Sequence, residues 1–189
     1  PRSFLSPTDS ESYRWREDFI QTFLERDLRR YGVQVAPVAM RRFWHMVAHY
    51  HGQIWNAAEP ASSLGVSQPT VRRYLDLMTG VFMARQLPPW FENLGKRQVK
   101  APKVYVRDTG LLHTLLGIAN QRDLEHHPKV GASWEGYAVE EVLASRMVCD
   151  PFTVRDCCLV TDGGGAAVMV LSGCISMSQA YQSIDTRIF

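Results

Sequence analysis

Apolar residues recur at helical spacing over three stretches of the first 80 residues. The first stretch follows the capping-box sequence Thr8-Asp-Ser-Glu11, which favours a helix N-terminus. Its apolar stripe consists of Phe19, Ile20, Phe23, Leu24 and Leu28. This pattern predicts a helix that ends near Arg30. A second helix is predicted from Pro37, a residue favoured in the first helical turn, to His51 before the stop at Gly52.

The third stretch, from Ser62 to Met78, has the pattern of a helix-turn-helix. A short helix ends at Leu64, Gly65 suits a left-handed turn, and Ser67 suits the N-cap of a second helix. Pro60 weakens the first helix, because proline costs about 3 kcal/mol inside a helix. Either Pro60 lies in the interior of that helix, or the helix begins at Glu59 and Pro60 occupies its first turn. The outward residues of the second helix are candidates for DNA contact: Gln68, Arg72 and Arg73.

Extended segments are predicted after the helix-turn-helix. Val81–Leu87 is β-rich, and Gly95–Lys100 supplies a second extended piece, so together they predict a wing. The wing adds three further candidates for DNA contact: Lys96, Arg97 and Lys100. A strand is predicted at Lys103–Val106. Two helices should follow, one capped by Asp108 and ending at Leu116, the other capped by Ser133 and running from Trp134 to about Met147.

The composition changes toward the end of the chain. The net charge is only +2, but residues 61–110 hold eight Lys or Arg against three acids, and no lysine follows Lys129. All four cysteines lie between Cys149 and Cys174, two of them adjacent, which favours a reducing cytoplasm over a disulfide framework. No apolar run reaches the roughly 18 residues of a membrane span, so a membrane partner is not expected.

Two other patterns suggest chemistry that the residues around them disfavour. His45 and His49 share a helix face as zinc ligands do, but Met46 stands where a zinc-protease motif needs Glu. We therefore expect no metal site. The glycine-rich loop Asp162–Gly165 precedes a predicted strand rather than a helix, and the chain contains no Gly-x4-Gly-Lys-Ser/Thr motif for ATP.

Residues 1 to about 145 carry a series of short motifs in a fixed order. They are Pro1-Arg-Ser-Phe4, Trp15-Arg-Glu17, Phe23–Asp27, Ser63–Ser67, Thr70–Asp76, Lys103–Leu112 and Gly131–Gly136. This combination resembles the C-terminal region of prokaryotic AAA-type ATP-binding proteins that carry a C-terminal domain of unknown function. The resemblance implies an ATPase module upstream of Pro1, absent from this chain, then a helical linker, a winged helix and a restriction-nuclease-like domain. ATP and Mg²⁺ are expected only in the missing module.

The resemblance also assigns one acidic residue. Glu135, in Trp134-Glu-Gly136, matches the first acidic position of the nuclease-like core. Such a core further needs an Asp and a Glu-x-Lys to hold a metal ion. Because no lysine follows Lys129, the nuclease-like unit should be truncated and no residue of this chain should be catalytic. Pro60 departs from the family, where leucine is expected.

The tail resembles a different family. The segment at about 149–169, from Cys149 to Met169, is similar to an internal segment of thiolase-type acetyl-CoA acetyltransferases. The catalytic Cys and His motifs of thiolases have no match here. We therefore expect a composite chain with a seam near Ser145 to Cys149, of natural or artefactual origin.

These observations predict a fold and a function class. The fold should be mainly α with a winged helix-turn-helix, followed by a truncated α/β unit. The predicted segments are a helical linker at 1–52, the winged helix at 53–101, the nuclease-like unit at 102–147 and the thiolase-like, poorly ordered tail at 148–189. The expected function is that of a non-catalytic accessory or regulatory fragment, whose partner is the ATPase module, another protein or duplex DNA. The alternatives are a DNA-binding module and a remnant of a nuclease or thiolase.

Overall fold

The N-terminal region of the protein is helical. The computed structural model describes residues 5–31, 35–88 and 101–149, and it describes side chains as far as Leu143. Helix α1 (Asp9–Thr22) begins at Thr8, whose Oγ1 accepts the backbone N–H of Glu11 at 3.3 Å, as the capping box predicts. The helix continues through a π-helical turn (Phe23–Asp27) into the single turn α2 (Leu28–Arg30). The predicted end near Arg30 is therefore confirmed. The sequence did not predict the π turn.

Three further helices follow in the next 50 residues. Helix α3 (Pro37–His49) ends two residues before the predicted end at His51, and Gly52 adopts a φ of 75°. Helices α4 (Ala58–Leu64) and α5 (Gln68–Gly80) flank Gly65, which adopts the predicted left-handed conformation with a φ of 67°. Ser67 caps α5, since its Oγ accepts the Thr70 N–H at 3.4 Å.

Pro60 is less costly than the sequence suggests. It is the third residue of α4, within the first turn, where a backbone N–H has no intrahelical partner to lose. Its ring is buried and contributes to packing. Pro60 therefore lies in the first turn, as one of the two alternatives predicted, although the helix begins at Ala58 and not at Glu59.

A small antiparallel sheet joins segments that lie far apart in the sequence. Its strands are β1 (Gln53–Ile54), β2 (Ala84–Leu87) and β3 (Lys103–Val106), in the order β1-β3-β2. Strands β1 and β2 belong to the predicted winged helix at 53–101, and β3 belongs to the predicted nuclease-like unit at 102–147. The sheet therefore joins these two predicted segments. Strand β2 begins three residues later than predicted, because residues 81–83 form the turn that ends α5, with exposed Phe82 at a φ of 62°. The extended piece predicted at Gly95–Lys100 lies outside the described residues.

Large aromatic side chains of the N-terminal half join several elements of the core. Trp44 and Phe43 of α3 are completely buried. Trp44 packs against Phe23 with ring centroids 5.5 Å apart, and Phe43 packs edge-on against Tyr74 of α5 at 5.6 Å. Burying one such large apolar side chain contributes about 1.5–3 kcal/mol. These contacts tie the π turn, α3 and α5 into one hydrophobic cluster.

Three helices follow the sheet, and the last lies over it. Asp108 caps α6 (Thr109–Leu115) as predicted, accepting the Leu111 N–H at 2.7 Å. The short helix α7 (Gln121–Glu125) was not predicted. Helix α8 (Val130–Cys149) begins four residues before the predicted start. Ser133 does not cap it: the serine is buried within the helix, and its Oγ lies 2.7 Å from His113 Nε2 of α6. Within the described ranges, no helix combines the length and apolarity needed to cross a membrane.

Candidate nucleic-acid interface

Helix α5 has one face in the core and the other in solvent. Its inward residues Val71, Leu75 and Met78 are at most 1% exposed, so the helix cannot rotate about its axis without opening the core. On the outward face, Gln68, Arg72 and Arg73 are all exposed, as predicted. Among the residues that the structure describes, none forms a hydrogen bond or ion pair with these three side chains. Their polar groups are therefore free to bind a partner.

The geometry of this face suits a nucleic-acid groove. Gln68 and Arg72 are one helical turn apart on the same side, and α5 is about 20 Å long at 1.5 Å per residue. Arginine and glutamine are the side chains that bind guanine and adenine edges in bidentate fashion. The one acid on this helix, Asp76, accepts a hydrogen bond from Gln86 of β2 at 2.9 Å. The start of the helix is thus cationic, and its acid is directed toward the sheet.

The predicted wing contacts cannot be placed beside this helix. Lys96, Arg97 and Lys100 all lie outside the described residues. The structure describes the two strands that precede and follow these candidates in the sequence, in which Leu87 of β2 pairs with Lys103 of β3. The segment that carries the three candidates therefore connects two antiparallel neighbours.

Glu135, which matches an acidic position of nucleases, faces the sheet. Its Oε1 accepts a hydrogen bond from the hydroxyl of Tyr105 at 2.6 Å and lies 3.3 Å from Nζ of Lys103. Both partners lie on β3, two residues apart and hence on one face of the strand. The carboxylate thus fastens α8 to β3. Within the described part of the chain, no three His, Cys, Asp or Glu side chains are arranged to hold a metal ion.

A second acidic residue of α8 joins two arginines that the sequence did not connect. Glu140 receives both Nε and Nη2 of Arg85, the latter at 2.9 Å, and Nε of Arg107 at 2.9 Å. Burial alone would raise the pKa of Glu140. The hydrogen bonds and charges of the two arginines outweigh that effect and hold the pKa below its ordinary value. Glu140 therefore stays ionised.

His51 is a structural residue rather than a metal ligand. Its Nδ1 accepts the backbone N–H of Val106 at 3.0 Å, which leaves Nε2 to donate to the carbonyl of Ala132 at 2.9 Å. Burial lowers its pKa to about 4, so the ring is neutral at pH 7. The two histidines considered as zinc ligands in the sequence do not join His51: His45 Nδ1 lies 2.7 Å from the Leu115 carbonyl, and His49 is exposed.

The comparisons with known proteins place the chain in a family. Residues 1–122 match the family described as "Domain of unknown function (DUF8612)". The chain belongs to the DUF8612 family. It is 54% identical over 144 residues to Uncharacterized protein Mb2031c of Mycobacterium bovis and to Uncharacterized protein Rv2008c of Mycobacterium tuberculosis. The match covers 76% of this DUF8612 chain and 33% of each relative, so the chain spans about a third of their length. No solved structure matches it.

A partial similarity to a thiolase is also found, in agreement with the resemblance to thiolases expected from the sequence. The DUF8612 chain is 32% identical over 78 residues to Benzoylsuccinyl-CoA thiolase subunit BbsB of Thauera aromatica. That match covers 40% of the chain and 20% of the thiolase subunit, and is longer than the 20 or so residues that the sequence suggested. The mycobacterial and thiolase matches together exceed the length of the chain, so they overlap. The two matched regions therefore share part of the chain and are not divided at one residue.

Proposed function

We propose that this DUF8612 chain is a non-catalytic accessory module of an AAA-type ATP-binding protein, and that its winged helix binds duplex DNA through α5. The element order α3-β1-α4-α5-β2-β3, with sheet order β1-β3-β2, supports the winged helix. In that arrangement α5 is the second helix of the helix-turn-helix, which lies in the major groove in DNA complexes. The proposal rests on the outward face of α5, whose three exposed polar side chains have no hydrogen-bond partner among the described residues.

The expected strength of DNA binding follows from the charge of the two arginines and from the fixed orientation of α5. The inward face of α5 is fully packed, so Arg72 and Arg73 project from a helix whose orientation is fixed before binding. An arginine that neutralises one phosphate changes the slope of log K against log salt by about 0.9. An arginine that reads a base edge contributes about 1–3 kcal/mol of discrimination. Two arginines on one face can supply both effects.

The accessory role is supported by the engagement of Glu135 and by the length of the relatives. A carboxylate held by Tyr105 and Lys103 acts as a structural tie between α8 and β3. Since the mycobacterial proteins are about three times the matched length, most of each lies outside its match with this chain. The coding sequence on either side of this chain tests the ATPase assignment. A Walker A motif in the same reading frame supports it, and a complete reading frame without one contradicts it.

DNA binding is tested by titrating fluorescent duplexes with the chain at 50–200 mM salt. The wild type should bind with an affinity that falls steeply as salt rises. The double variant R72A/R73A should bind at least about 10-fold more weakly at the lowest salt, because two cationic contacts are lost. Arg122→Ala, an exposed arginine on α7, is the matched control and should bind as the wild type does. Equal binding by R72A/R73A and wild type, or no binding by the wild type, would overturn the proposal in favour of a protein partner.

A further inference from the structure

A third arginine borders the turn that precedes α5. Arg42 lies on α3, and its Nη2 donates a hydrogen bond to the backbone carbonyl of Ser63 at 3.1 Å. Ser63 is in the last turn of α4, where carbonyls have no intrahelical partner. A cation there is also favoured by the helix dipole. The guanidinium therefore sits where α4 ends and the turn toward α5 begins.

Most of the Arg42 side chain remains available after this contact. Arg42 is exposed, and its bond to Ser63 is the one hydrogen bond that its side chain makes with the described residues. A guanidinium carries five N–H donors, so several are left for a second acceptor. The base of the side chain is fixed, because its neighbours Phe43 and Trp44 are completely buried. Arg42 thus presents spare donors from a rigid position.

We propose that Arg42 binds a backbone phosphate of the same duplex, which extends the DNA-contact surface from α5 to α3. The inference rests on the proposed function of α5. A helix in the major groove, about 12 Å wide, has a row of phosphates on each side. A cation beside the N-terminal end of that helix meets one of these rows. Spare N–H donors in a planar fork match the geometry of phosphate oxygens. The bond to Ser63 holds the guanidinium in place before binding.

Two substitutions separate a phosphate contact from a purely structural role at the end of α4. Arg42→Lys keeps the positive charge, whereas Arg42→Gln keeps a hydrogen-bond donor and removes the charge. If Arg42 binds phosphate, R42Q should bind the duplex several-fold more weakly at 50 mM salt. Its salt slope should be smaller by about 0.9, while R42K keeps the wild-type slope. Arg122→Gln should leave both quantities unchanged.

Thermal melts of each variant are recorded beforehand, and all binding is measured well below the lowest melting midpoint. A wild-type salt slope in R42Q, together with weak binding by R72A/R73A, would overturn the role of Arg42 and leave that of α5 intact. Wild-type binding by R72A/R73A, or no binding by the wild-type chain, would overturn both.

Discussion

Replacing Gly136 by alanine should disrupt the contact between α8 and His51. Gly136 is buried, and a Cβ built on it would lie 2.6 Å from Cε1 of His51 and closer still to Nε2. The ring cannot move aside without cost, because its two nitrogens are bound to the backbone at Val106 and Ala132. The substitution therefore forces either α8 or the ring out of position.

The magnitude follows from two opposing effects. Overpacking of this kind costs about 1–3 kcal/mol, and losing the hydrogen bond to Ala132 adds about 1 kcal/mol. Alanine gains up to about 1 kcal/mol over glycine from helix propensity. We expect Gly136→Ala to lower the free energy of unfolding by about 2 kcal/mol. In a chain of this size that corresponds to a fall in Tm of about 4–8 °C.

Urea unfolding followed by circular dichroism measures this change, and the same helix supplies a control. Gly131 is exposed and no atom lies within 4 Å of its hypothetical Cβ, so Gly131→Ala should be neutral or slightly stabilising. In a His51→Ala background the space is open, and Gly136→Ala should no longer destabilise. If Gly136→Ala is as stable as wild type, or costs the same with and without His51, the steric argument is wrong.

Three further predictions concern other contacts. His51 and His113 each bind a proton with a pKa of 6.5 in the unfolded chain and of about 4 in the folded chain, so the free energy of unfolding should fall by about 2 kcal/mol per histidine from pH 7 to pH 5. Urea titrations that give equal values at both pH values would contradict this. Glu140→Gln removes the carboxylate that pairs with two half-buried arginines and should cost about 1–3 kcal/mol, while exposed Glu17→Gln should cost less than about 0.5 kcal/mol. Urea unfolding of both variants measures the two losses of stability, and equal losses would refute the role of the Glu140 ion pairs. Ser67→Ala removes the N-cap of α5 and should cost about 1 kcal/mol, and Ser67→Asp should restore it. No loss in Ser67→Ala would show that the cap contributes nothing to stability.

The features predicted correctly from the sequence are those with local causes. Thr8, Ser67 and Asp108 cap helices through a backbone N–H three residues ahead, and Gly65 makes its turn through its own φ. Ser133 shows the limit of such reasoning. It has the chemistry of an N-cap, but its hydroxyl lies against His113, 20 residues away, and the helix begins earlier.

The candidate interface likewise has features that local patterns predicted and contacts that they did not. The exposure of Gln68, Arg72 and Arg73 follows from helical periodicity, so it was predicted. The contact of Arg42 with Ser63 joins residues 21 apart, and the bonds of Glu140 reach 33 and 55 residues back. Such pairings depend on how the helices and the sheet are assembled, and no local pattern reveals them.

The ties between α8 and the sheet show that the folded unit extends beyond the family match. The family match ends at residue 122, before α8 begins. A chain cut there would remove the carboxylates of Glu135 and Glu140 from their basic partners, and would open one side of the His51 ring to water. The smallest fragment that keeps its native stability should therefore extend past Glu140. The end of the family match would place the cut too early.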